Sequence, residues 1–98
     1  MTVLARVTIC NKKGLHARAA AKVVKAATGF DAQVKVLRLP SSGEAAGAPS
    51  ATATSILSLL MLAADLGSDV ELQGEGAQAE AAVNAIRDLI ARRFDEQE

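Results

Sequence analysis

The hydrophobic period of this chain switches from two residues to roughly 3.6 and back, and that rhythm limits what it can fold into. Val3 to Cys10 alternates as a strand does, with Ala5, Val7 and Ile9 on one side and Arg6 and Thr8 on the other. Asn11 to Gly14 is a loop. From Ala17 to Thr28 the apolar residues Ala20, Val23, Val24 and Ala27 fall at i, i+3, i+4 and i+7, the stripe of an amphipathic helix. Gly29 is expected to end this helix in a left-handed turn, with Phe30 packing back on the last turn. Asp31 to Leu39 is a second strand, with Val34 and Val36 inward. Residues 40–54 are rich in Pro, Gly, Ser and Ala and form a long loop, with a short edge strand expected around Glu44–Ala48. Ser55 opens a short helix as its N-cap, and Gly67 is expected to end it. Asp69 to Gln73 alternates again, Val70 and Leu72 inward, and Gly74 and Gly76 are read as the following turn. The last helix runs from about Gln78 to Arg93, with Ala79, Val83, Ile86 and Ile90 as its stripe. Arg92 and Arg93 sit near its C-terminus, where the helix dipole favours cations. Residues 95–98 are a polar tail.

Each helix and each strand in this order has one apolar face to bury. The economical solution is an α+β fold, a two-layer open-faced sandwich: a mostly antiparallel four-stranded sheet with three helices on one side. The length of 98 residues fits one domain spanning 1–98.

Composition excludes several functions. Half the residues are apolar, but Phe contributes 2 and Trp and Tyr none, so the core is aliphatic. The 11 basic and 11 acidic residues cancel, which gives no footprint for nucleic acid. Cys10 has no second cysteine to pair with and reads as a small buried apolar group. One histidine without a cysteine cluster does not make a metal site, and no cofactor is implied. The longest apolar run, Ile56 to Ala64, is too short to span a bilayer, and there is no signal peptide. The protein is therefore read as cytoplasmic, with no membrane partner. Asp65, Glu71, Glu75, Glu80, Asp88 and the C-terminal acids read as solvated faces.

The chemistry concentrates at Gly14-Leu15-His16-Ala17-Arg18. Gly14 allows a sharp turn that places the His16 imidazole at or near a helix N-cap. The amides of the first helical turn have no partner inside the helix. A neutral imidazole offers a nucleophilic nitrogen near pH 7. Arg18 can add a charge-assisted, forked hydrogen bond. Together these groups suit a phosphoryl group.

This stretch resembles the phosphorylation-site motif of the HPr family, the histidine-containing phosphocarriers of the bacterial phosphotransferase system. The preceding strand, Ser55-Ile56-Leu57 at the start of a short helix, Gly67-Ser68-Asp69-Val70 entering the last strand, and the final helix follow the family's order. The tract Gly29-Phe30-Asp31-Ala32, the run Leu59 to Leu62 and the ending Phe94-Asp95-Glu96 look most like the nitrogen-related branch.

The resemblance implies a carrier rather than an enzyme, working as a monomer. His16 would take a phosphoryl group on Nδ1 from a phosphohistidine of enzyme I and pass it to an enzyme IIA-type acceptor, with Arg18 steadying the phosphate. Ser55 would be a regulatory site for HPr kinase/phosphorylase. Ala17, Ala20, Ile56, Leu57 and Leu60 would form the surface that docks partners, while Leu59 and Leu62 belong to the core. The rival readings are an HPr-like interaction module that no longer carries phosphate and a ligand-binding regulatory domain of the βαββαβ class. Two features depart from the family's pattern. Ala19 stands where the family usually has proline, and the segment 40–54 is longer than the usual link.

Overall fold

A computed structural model describes residues 2–97. Its elements are β1 (Val3–Thr8), α1 (Ala17–Thr28), β2 (Gln33–Arg38), β3 (Ser50–Thr52), α2 (Ile56–Met61), β4 (Asp69–Glu75) and α3 (Ala79–Ala91), followed by a single turn at Arg93–Asp95. The four strands form one sheet in the order β1-β4-β2-β3. All three pairings are antiparallel, with Ala5 opposite Leu72, Val36 opposite Leu72 and Val36 opposite Ala51.

The two-residue rhythm puts Val34, Val36, Val70 and Leu72 on one face of the sheet. There they meet Ala20, Val23 and Ala27 of α1, Leu59 of α2 and Val83, Ile86 and Ile90 of α3 in one continuous core. The fold is thus the expected two-layer α+β sandwich. Apart from Phe94 its core is aliphatic, and alanines among the larger side chains let backbones approach closely. A Cβ on Gly74 would lie 2.5 Å from a Val83 methyl and 3.2 Å from the Ala79 carbonyl oxygen. Gly74 is therefore a strand residue that lets α3 press onto β4, and the turn falls to Gly76 at φ 118°.

Several local expectations need correction. The edge strand is Ser50–Thr52, not Glu44–Ala48, because the antiparallel register places Ala51 against Val36 and brings its side chain into the core. Helix α1 does not end in a left-handed glycine: Gly29 sits at φ −78°. Its last turn loosens instead through Gly29 and Phe30 amides donating to the carbonyls of Ala26 and Ala27. Helix α2 stops before Gly67, since Ala63 already turns left-handed at φ 51°. The first strand ends at Thr8, leaving Ile9 in the core and Cys10 half-buried, its thiol facing the carbonyls of Ile90 and Ala91.

Glu71 is buried at 5% exposure rather than solvated. It lies on the sheet face away from the helices, paired across β1–β4 with Arg6 at 3.0 Å and receiving a hydrogen bond from Gln73 at 2.7 Å. Leu37, beside it on β2, is buried too. The chain after β2 returns past this face, where Gly43 comes against the Arg6 guanidinium. Asp65, Glu75, Glu80 and Asp88 are exposed. Among the described residues no helix is long and apolar enough to cross a membrane.

Candidate functional site

The loop before α1 is shaped by Gly14. Its φ of +66° belongs to the left-handed region, and a Cβ there would stand 2.7 Å from the carbonyl oxygen of Ala64. This close approach lets the Leu15 amide donate to the same Ala64 oxygen at 2.9 Å. Leu15 then inserts into the core. His16 follows with extended backbone (φ −82°, ψ −178°) as the N-cap of α1. Its Nδ1 accepts the Arg18 amide N–H at 3.2 Å, which serves one of the donors a helix start leaves unmatched. The side chain keeps 26% of its surface in solvent.

The far side of the ring meets the chain's end. Nε2 hydrogen-bonds to Oε2 of Glu96, and Oε1 of Glu96 accepts from the Asn11 side-chain amide at 2.9 Å. Asn11 is fully buried, and its second N–H goes to the Gly14 carbonyl at 2.8 Å. Burial of Glu96 works to raise its carboxyl, but the hydrogen bonds from Asn11 and His16 and the charges of the protonated His16 ring and of Lys22 outweigh that and hold it below the usual carboxylate range. The tail reaches this position through a left-handed turn. Arg93, Phe94 and Asp95 all have positive φ, between 54° and 62°. Phe94 anchors the turn with 0% exposure, Lys22 donates to its carbonyl, and Arg92 pairs with Asp95 at 2.8 Å. The tail is therefore not simply solvated: Glu96 is part of the site. Lys13, Arg18, Lys22, Asp95, Glu96 and Gln97 line an adjacent cleft of about 300 Å³.

Chemically, this is a partly exposed imidazole with Nδ1 turned to a helix N-terminus and Nε2 against Glu96, beside a cleft lined by the cations Lys13, Arg18 and Lys22 and the acids Asp95 and Glu96. The helix N-terminus favours transient negative charge on the Nδ1 side of the ring. Arg18 is exposed. Ala19 is completely buried against the core, so the methyl side chain fills a packing position at the first turn.

The second region expected from sequence lies on α2. Ser55 is its N-cap, with Oγ accepting the Ser58 amide at 3.2 Å. Ile56, Leu57 and Leu60 are 42%, 69% and 37% exposed, and Met61 at 76% extends the same apolar surface. Leu59 and Leu62 are buried, as expected. Ala17 is exposed, but Ala20 is not: at 0% exposure it packs in the core and offers nothing to a partner. Ala20 falls on the buried stripe with Val23 and Ala27, while Ala17 stands at the open first position of α1.

Sequence reasoning missed Asn11 and Glu96. The signal available was Phe94, a lone large aromatic at the end of a chain with only 2 Phe, which had to bury somewhere and carry its neighbours with it.

The family described as "PTS HPr component phosphorylation site" matches residues 3–92. A phosphocarrier protein NPr of Shewanella violacea is 45% identical over 97 residues, covering 98% of both chains. A phosphocarrier protein HPr of Pseudomonas aeruginosa is 46% identical over 92 residues, 94% of each chain. The crystal structure of HPr-C-His from Thermoanaerobacter tengcongensis superimposes with a TM-score of 0.81 at 33% identity, covering 98% of this chain and 99% of that one.

Proposed function

This chain belongs to the PTS HPr family of phosphocarriers, and from that premise we propose that it relays a phosphoryl group through Nδ1 of His16. The observation that carries this reading is the N-cap geometry: Nδ1 is the ring nitrogen turned toward the Arg18 amide, at a site that keeps about a quarter of the side chain in solvent. The Nδ1 lone pair attacks phosphorus, and the Arg18 amide then donates to a phosphoryl oxygen in its place. The other first-turn amides and the Arg18 guanidinium share the added charge. An open helix end holds phosphate without enclosing it, which suits a carrier that must release its load.

The donor is enzyme I and the acceptor is of the enzyme IIA type, docking on Ala17 and the exposed residues Ile56, Leu57 and Leu60 of α2. An apolar patch of this kind on an otherwise well-packed small protein suits a binding surface. The NPr relative and the ending Phe94-Asp95-Glu96 favour the nitrogen-related branch. Ser55 is the regulatory position, because a phosphate on this cap would put negative charge beside the docking leucines.

Incubation with enzyme I and phosphoenolpyruvate tests the carrier reading. We expect an acid-labile, alkali-stable phosphate on His16. It should be abolished in His16→Ala and formed more slowly in Arg18→Ala with no loss of fold. Labelling that survives in His16→Ala, or none in the native protein, refutes it. For Ser55, treatment with HPr kinase/phosphorylase and ATP followed by mass mapping decides: an unmodified Ser55 removes that role.

A further inference from the structure

Two hydrogen bonds on opposite sides of His16 together select one protonation state of the ring. The partner of Nδ1 is a backbone N–H, which can only donate, so Nδ1 must present a lone pair. A neutral ring with a bare Nδ1 carries its proton on Nε2, and the atom facing Nε2 is Oε2 of Glu96, an acceptor. The other carboxylate oxygen is held by Asn11, whose amide is itself fixed to the Gly14 carbonyl. Glu96 is thus clamped between a buried amide and the imidazole, 80 residues away along the chain from the ring it touches.

We propose that Glu96 is a positioning residue for phosphoryl transfer: its carboxylate holds the proton on Nε2 and so keeps Nδ1 nucleophilic. The inference rests on His16 being the phosphoryl acceptor. It gives the relay a simple balance. The Nδ1 lone pair forms the new N–P bond while the N–P bond of the donor phosphohistidine breaks, its electron pair returning to the donor's ring nitrogen. The proton on Nε2 does not move. The phosphorylated ring then carries a positive charge, and this charge lies directly against Glu96. When the load is passed on, the N–P electron pair returns to Nδ1, leaving the neutral ring as it began. The carboxylate lets the group enter and leave without a proton acceptor from solvent, in the way that a carboxylate behind a histidine fixes its tautomer elsewhere. The three groups around the carboxylate are Asn11, His16 and Lys22, with Lys13, Arg18 and Asp95 lining the cleft beside it.

Glu96→Gln gives a sharp test because Asn11 dictates how the new amide sits. The Asn11 N–H group requires an oxygen, so the glutamine turns its NH2 toward Nε2. A donor facing Nε2 pulls the ring proton to Nδ1, where it collides with the Arg18 amide. Nitrogen-15 spectra of the ring and the initial rate of labelling by enzyme I and phosphoenolpyruvate are measured on the native protein and the variant. Amide spectra outside residues 11–18 and 92–97 serve as the control for fold. Expected is a native ring with bare Nδ1 and protonated Nε2, a Glu96→Gln ring shifted toward protonated Nδ1, and a transfer rate lower by about tenfold. Glu96→Ala, which removes the acceptor without adding a donor, should fall between them. An unchanged ring signature in Glu96→Gln overturns the proposal even if the rate falls, because Glu96 is then a tail anchor. A changed signature at full rate overturns it as well. No labelling of the native protein is a different result, since that sinks the carrier reading itself.

Discussion

Among the described residues two helix N-termini are capped by side chains, and they are held by different kinds of structure. At α2 every partner is local. Ser55 accepts from Ser58, donates its own amide to Thr52 and receives the Leu59 amide on its carbonyl. At α1 the cap is likewise local, with Arg18 donating to Nδ1, but further partners come from far along the chain. Leu15 is tied to Ala64, and the His16 ring and Asn11 are both tied to Glu96, 80 and 85 residues away. A serine cap needs only its own turn, so it can be modified or replaced without disturbing the rest. A histidine that must offer one particular nitrogen needs both faces of its ring specified, and a single turn of helix has nothing to reach the far face. The tail supplies it.

The sharpest way to break this contrast is at Phe94. Its side chain is wholly buried and anchors the tail that carries Glu96. Phe94→Ala should cost about 3–5 kcal/mol by loss of burial and the cavity left behind. Urea unfolding measures this. Transfer to His16 should fall with it, because Glu96 loses its anchor, while the α2 cap is untouched. A variant that unfolds at the native midpoint would show that the tail is not integral to the site.

Gly14 comes next. Alanine there must hold φ near +66° and bring a methyl to within 2.7 Å of the Ala64 oxygen. We expect Gly14→Ala to lose about 2 kcal/mol through this strain and to label more slowly, as the loop shifts His16 off its cap. Equal stability and equal labelling would mean that the loop tolerates the side chain by moving. The matching change at the other terminus is smaller. Ser55→Ala removes one local hydrogen bond and should cost about 1 kcal/mol in the same unfolding experiment. Labelling of His16 should stay at the native rate, because nothing at Ser55 touches the ring.

The same division between local and distant explains what the sequence made legible. The α1 stripe, the Ser55 cap and the strand alternations depend on neighbours within a few residues, and they stand where their patterns place them. Gly14-Leu15-His16 announced a turn feeding a helix start, and the turn is there. Glu96 was unreadable because its partners are distant and its own neighbours are polar, so it read as solvent-facing tail. Glu71 was misread for the same reason: its acidic side chain on a strand reads as exposed until Arg6 appears across β1–β4. Ala20 failed differently. Its place on the apolar stripe already assigned it to the core, and the resemblance to a docking surface overrode that. The Ser50–Thr52 strand is too short to have a period at all.

The gentlest probe of the comparison is pH, since a carboxylate serves only one of the two caps. The Glu96 carboxyl is held below its usual range in the folded protein, with Asn11, His16 and Lys22 offsetting the effect of burial. Between that lowered value and the ordinary one, the unfolded chain binds a proton that the folded chain does not, so stability rises with pH across that window. The contribution is complete above the ordinary carboxylate value and is lost as pH falls through the lowered one. Unfolding of the native protein and Glu96→Gln, followed from neutral pH into the acid range, reads this contribution together with the carboxylate's contact to His16. We expect the native advantage to shrink steadily on acidification, and the carbon-13 titration of the Glu96 carboxyl to have its midpoint below that of an unstructured glutamate. The Ser55→Ala difference should stay flat over the same range, because a hydroxyl cap does not titrate there. A Glu96 midpoint at or above the unstructured value would mean that burial outweighs the clamp, and the tail would then close over His16 better in acid than at neutral pH.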